Sequence, residues 1–142
     1  MRRLILIILF GSFIYAQPNW DCDENGIIDN YADYEYSGYI TATIDYENFN
    51  SIADEGDLLA AFVDDEIRGV GIPEMIPFGP YSGSYLFLLS TFSNQISNEY
   101  LTFKFYDSDS ENIYNISESI EFISNMILGD AISPVVLSVT NQ

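Results

Sequence analysis

Beyond residue 17 the chain alternates between apolar and polar positions. In Tyr34 to Ile44 the even positions are Tyr34, Tyr36, Gly38, Ile40, Ala42 and Ile44, while the odd ones are Glu35, Ser37, Tyr39, Thr41 and Thr43. A period of two puts each set on its own face of an extended backbone, which predicts a half-buried strand. Leu58 to Val63 and Glu66 to Val70 read as two strands joined at Asp64-Asp65, a hairpin with acidic turn residues. Tyr85 to Phe92 is apolar on both faces and reads as a central strand. In Tyr100 to Asp107, Leu101, Phe103 and Phe105 point one way, and Thr102, Lys104 and Tyr106 the other. Ile116 to Ile123 and Val135 to Val139 close the series, the latter after Pro134, a residue suited to a strand's beginning but not its middle. The stretch from Gly71 to Gly83, with Pro73, Pro77 and Pro80, reads as one long loop.

No window of a dozen residues carries helical period, and Gly, Asn, Asp and Pro punctuate the chain at short intervals. The expected class is all-β: an antiparallel β-sandwich of about seven or eight strands, immunoglobulin-like or jelly-roll-like, over residues 34–142.

The first stretch departs from this pattern. Arg2 and Arg3 precede the apolar run Leu4 to Phe10, followed by Gly11-Ser12-Phe13-Ile14-Tyr15-Ala16. A positive start, an apolar middle and a small residue at the end are the order of a secretory signal peptide, here 1–16 with cleavage after Ala16. The alternative, a retained anchor, needs about 20 apolar residues to cross a bilayer, whereas this run is broken at Gly11 and Ser12. The expected location is therefore outside the cell or on its surface, with no membrane span in the mature chain.

Charge narrows the function further. The 142 residues carry 4 Lys+Arg against 22 Asp+Glu, a formal −18. Without the first sixteen residues, Arg68 and Lys104 face the same 22 acids, 2 minus 22 or −20. Such a surface repels phosphate backbones, which excludes nucleic acid as a partner, and counter-cations should stabilise it. There is no histidine and a single cysteine, Cys22. A Ser-His-Asp relay, a His-bearing zinc site, a multi-thiolate site and an internal disulfide are all excluded. No nucleophile stands beside a recognisable activating base, so the chain is not expected to be an enzyme. At 48% hydrophobic and 15% aromatic residues it is too apolar for a disordered acidic tail.

One motif carries chemistry. In residues 17–33, between the leader and the first strand, lies Asp21-Cys22-Asp23-Glu24-Asn25-Gly26-Ile27-Ile28-Asp29. Oxygen-bearing side chains fall at loop positions one, three, five and nine, with glycine at six. That spacing wraps a calcium ion: alternate side chains turn inward, the residue at seven offers its carbonyl, and glycine makes the sharp turn. The expected ligands are Asp21, Asp23, Asn25, the Ile27 carbonyl and Asp29. Loop position twelve, where helix-loop-helix sites place a glutamate, is Ala32 here, and Asp33 one place later is a candidate sixth ligand. No helix flanks the motif, so the loop resembles the isolated calcium loops of dockerins and thrombospondin type 3 repeats, which implies an extracellular, structural role. The competing reading is a solvated turn.

Other clusters are weaker. Asp107, Asp109 and Glu111 alternate in a strand connection, a candidate second ion site set against a plain solvated turn. Asp64, Asp65 and Glu66 are adjacent turn residues rather than carboxylates facing across a cleft, so they do not make a glycosidase pair. Glu66 and Arg68, two apart on one strand, are expected to form an exposed ion pair of small energetic value. Of the 11 tyrosines, Tyr39, Tyr81, Tyr100 and Tyr106 fall on polar faces or in the long loop. Exposed rings of this kind stack on sugars, although tyrosine also suits strand edges generally.

From Tyr34 onward the order of motifs resembles secreted β-sandwich modules of Bacteroidetes-type bacteria. The resemblance rests on Tyr34-Glu35-Tyr36, Asp57 to Val63 running into Glu66-Ile67-Arg68-Gly69-Val70, Leu101 to Asp107, and Pro134-Val135-Val136-Leu137. It implies a non-catalytic piece of an exported or cell-surface protein. The chain departs from that pattern in its calcium-type loop and in ending at Gln142 without a sorting region. The expected function is a secreted calcium-binding module for adhesion, assembly or ligand binding. Its partners would be a glycan or a surface protein, or copies of itself. A carbohydrate-binding module is the alternative, and a subunit of an extracellular filament the third reading.

Overall fold

The computed structural model describes residues 17–47 and 52–140, and the expected leader lies outside them. Among the described residues, one 3-10 turn at Tyr31–Asp33 precedes regular structure that is all strand. In chain order the strands are β1 (Tyr36–Asp45), β2 (Leu58–Val63), β3 (Glu66–Gly71), β4 (Pro73–Met75), β5 (Tyr85–Ser93), β6 (Glu99–Asp107), β7 (Asn112–Phe122), β8 (Ile127–Leu128) and β9 (Val135–Ser138). Among the described residues no helix is long and apolar enough to cross a membrane.

The strands form one continuous sheet in the order β7-β6-β2-β3-β5-β1-β8, with β4 beside β5 and β9 beside β1. Pairing is antiparallel except where β8 and β9 run parallel to β1. The sheet curls until its ends meet: Ile116 of β7 bridges Val139, and the Thr140 N–H donates to the Asn115 carbonyl at 2.9 Å. Curling gives the sheet an inside. Ile40, Ala42 and Ile44 of β1, Leu59 and Ala61 of β2, Phe87 and Leu89 of β5, and Leu101, Phe103 and Phe105 of β6 all converge on that core. The period-two alternation is the cause, because each strand turns every second residue inward.

Three features depart from the expected elements. β4 lies inside the stretch expected to be one loop, and Pro73 begins it at a sheet edge, where a missing N–H costs nothing. β8 is only two residues, too short to register as alternation. Between Ala61 and Phe62 the β2–β3 register slips. A β-bulge of this kind bends the strand, and the extra residue here is Arg68, between Ile67 and Gly69, which pair with Phe62 and Ala61. The hairpin itself has the expected turn, with Asp64 and Asp65 both at positive φ, as a two-residue connection of right-handed twist requires.

The outside of β2, β3 and β5 is not bare. Residues 17–34 run across it: Trp20 meets Phe62 edge-on with ring centroids 5.9 Å apart, and Tyr31 and Tyr34 lie against Phe92. Ile28 is 1% exposed, although it belongs to no strand. The acidic loop is thereby held against the sheet.

Candidate metal centre

The loop is built by local hydrogen bonds of its own polar side chains. Asp21 Oδ2 accepts the Gly26 N–H at 2.6 Å, Asn25 Oδ1 accepts the Ile27 N–H at 2.9 Å, and the Asn25 amide donates to Asp23 Oδ2 at 2.9 Å. Asp and Asn side chains favour such turns because they reach a backbone N–H a few residues on. Gly26 has φ +79°, and a Cβ there would stand 3.3 Å from the Ile72 side chain. Both the left-handed backbone and the close approach to the sheet suit glycine.

The result brings three carboxylates together. One oxygen each from Asp21, Asp23 and Asp29 lies within 4.8 Å of the others, so the cluster can hold a metal ion. Asp21 is 5% exposed, and its Oδ1 is buried without a hydrogen-bond partner. A buried carboxylate oxygen with no donor is costly, and a cation in the cluster would satisfy it. Asp23 holds its proton more tightly than usual, first because that proton could be shared with the neighbouring Asp21 carboxylate, then because of desolvation. Two like charges meeting this closely favour a shared proton or a cation between them. The exposed Cys22 thiol is pushed up, chiefly by a hydrogen bond to Asp29, which keeps it in the unreactive thiol form.

The other predicted ligands are placed differently. Asn25 and Ile27 belong to the loop as its internal hydrogen-bonding pair. Asp33 does not join the cluster. It ends the 3-10 turn Tyr31–Asp33, and its carbonyl accepts from the Asn94 amide at 3.2 Å, which ties it to the end of β5. Asp107, Asp109 and Glu111 do not converge as an ion site either. Asp107 accepts the Asp109 N–H at 3.0 Å and the Ser110 hydroxyl at 2.7 Å, so the turn satisfies its own acceptor.

The four candidate tyrosines lie at separate places in the fold. Tyr106 is 6% exposed and buried against the domain. Tyr39 and Tyr100 are 55% and 59% exposed, but they sit on β1 and β6, with β2, β3 and β5 between them. Tyr81 is half-buried in the turn before β5.

Two features escaped the reading of the sequence. A cleft of about 340 Å³ separates the loop from the turn before β2, with Gln17, Asp21 and Glu24 on one wall and Glu55, Asp57 and Leu58 on the other. Asp57 is buried, which raises its pKa. Its oxygens accept the Ser108 N–H and hydroxyl and the Asp54 N–H, so it braces the turn. The second feature is a network around Arg68. Nε of that residue donates to Glu66 at 3.1 Å, and its terminal nitrogens reach both oxygens of Glu99 at 2.9 Å. The Tyr34 ring lies 5.1 Å from the guanidinium, Tyr34 donates to Glu66, and Ser93 donates to Glu99. The expected Glu66–Arg68 pair is part of a wider network, in which Arg68 is 8% exposed while the Glu66 side chain stays exposed. Glu99, thirty-one residues away along the chain, left no local signal. No family model, no curated protein and no solved structure matches this chain.

Proposed function

We propose that the chain is an exported, non-catalytic calcium-binding β-module that serves adhesion or assembly at a cell surface. The observation that carries the metal reading is Asp21, buried, with one carboxylate oxygen unpartnered, inside a cluster with Asp23 and Asp29. Calcium is favoured among cations because the donors are all hard oxygens on a tight loop with glycine at its sharp turn. Export is supported by the order of residues 1–16, and a structural role by the absence of histidine from the whole chain. The resemblance of residues 34–142 to secreted bacterial surface modules supports the same role.

Isothermal titration with calcium tests the site directly. The expected result is one ion bound with a dissociation constant of about 0.1 to 1 mM, the range of extracellular modules, and no binding to Asp23→Ala. Heat identical to dilution in the parent protein would overturn the reading.

A further inference from the structure

We infer that residues 17–35 form a strap that calcium fastens across the outside of β2, β3 and β5. This rests on the metal reading above and adds a conformational consequence to it. The strap has two differently secured parts. Its end is pinned by polar bonds: Tyr34 donates to Glu66, the Asn94 amide donates to the Asp33 carbonyl, and the Glu35 N–H donates to Asn94 Oδ1. The loop before it is held otherwise. The hydrogen bonds of 21–27 close the loop on itself, and its grip on the sheet is apolar, through Trp20 on Phe62, the buried Ile28, and Gly26 close to Ile72.

These two requirements oppose each other without a cation. Seating Trp20 and Ile28 on the sheet forces the intervening loop to curl, and the curl gathers the carboxylates of Asp21, Asp23 and Asp29 within 4.8 Å. It also buries Asp21 Oδ1 without a donor. A divalent ion removes both penalties at once and so favours the seated strap. Without it, the loop relieves the repulsion by lifting, while its far end stays pinned at Tyr34. The acidic cleft follows the strap, because Gln17, Asp21 and Glu24 form one of its walls. Calcium therefore both closes the strap and assembles the cleft.

Trp20 is the sole tryptophan of the sequence, so its fluorescence reports on the strap alone. The full chain is measured in chelator and with increasing calcium chloride, by Trp20 emission and by hydrogen exchange over residues 20–30, alongside calcium titration calorimetry. The expected result is a blue shift of emission and slower exchange that track saturation. Linkage gives a second readout: Ile28→Ala and Phe62→Ala, neither of them a metal ligand, should weaken calcium binding about tenfold, within the usual ~5–150-fold coupling between sites. Far-UV circular dichroism confirms that both variants keep the sheet. Calcium binding with unchanged emission, unchanged exchange and parental affinity in both variants overturns the strap and leaves the metal site standing. An emission change that persists in Asp23→Asn also overturns it, because calcium would then act elsewhere. No calcorimetric binding at all removes the metal site and the strap together.

Discussion

Arg68 and Glu99 meet through two parallel hydrogen bonds of 2.9 Å, joining the start of β3 to the start of β6. The bidentate geometry is the strongest form of an ion pair, since two N–H donors and two carboxylate oxygens match in one plane. The Tyr34 ring lies over the guanidinium, Ser93 donates to Glu99, and the Phe92 carbonyl accepts from Arg68 at 3.3 Å. One cation thus gathers groups from β3, β5, β6 and the end of the strap.

Removing one member of this set should cost far more than an exposed pair would. Arg68→Met leaves Glu99 half-buried and uncompensated, and the expected loss is about 3 kcal/mol, the lower end for breaking a buried pair. Arg68→Met combined with Glu99→Leu should recover most of that loss, because both charges then leave together. Urea unfolding of the two variants and the parent measures both values. A single variant within about 0.5 kcal/mol of the parent, the ordinary scatter of surface substitutions, would contradict the network.

The same pair predicts a pH dependence. The Glu99 carboxyl sits below its ordinary value of 4.5, first because of the Arg68 hydrogen bonds. Glu66 is lowered likewise, first by the Tyr34 hydroxyl. A carboxyl with a depressed folded pKa contributes stability that is complete above its unfolded value and is lost as pH falls through the folded one. Asp57, raised by burial, acts in the opposite sense and gains as it protonates. The contrast between parent and Glu99→Gln isolates the first effect. At pH 7 the variant should be the less stable, and the two stability curves should converge as pH drops below about 4.5. Parallel curves down to pH 3 would show that Glu99 is not held in its charged form.

Calcium should raise the melting temperature of the parent, with about 1.4 kcal/mol gained at ten times the dissociation constant. Asp23→Asn should behave oppositely in the two conditions. In chelator it melts higher than the parent, because the carboxyl that meets Asp21 has lost its charge. With calcium it gains nothing. Differential scanning calorimetry in both buffers shows whether the order of the two proteins reverses.

Gly129 sits between β8 and β9 with φ +72°, and a Cβ there would stand 2.5 Å from the Thr41 carbonyl oxygen and 2.8 Å from the Val135 nitrogen. Both neighbours are backbone, so neither can turn aside. Gly129→Ala should destabilise by at least about 2 kcal/mol, the left-handed conformation alone costing about 1–2. It should also loosen the parallel pairing of Val135–Ser138 with β1, seen as faster amide exchange there. An unchanged urea midpoint would mean that the crossover tolerates a shift.

The alternation of apolar residues determined the all-β class and most of the strands by itself, because period two is a local property that each strand carries in its own residues. The spacing of Asp21, Asp23 and Asp29 around Gly26 was local in the same way, and those three carboxylates do converge. Asp33 takes its place from a 3-10 turn tied to Asn94, which loop spacing does not encode. Only the tertiary structure decided how the sheet curls, where the acidic loop rests and what Arg68 meets. The physical reason is distance along the chain: Glu99 is brought to Arg68 by strand order, and the bulge at Ala61/Phe62 alters the alternation that made Arg68 read as exposed.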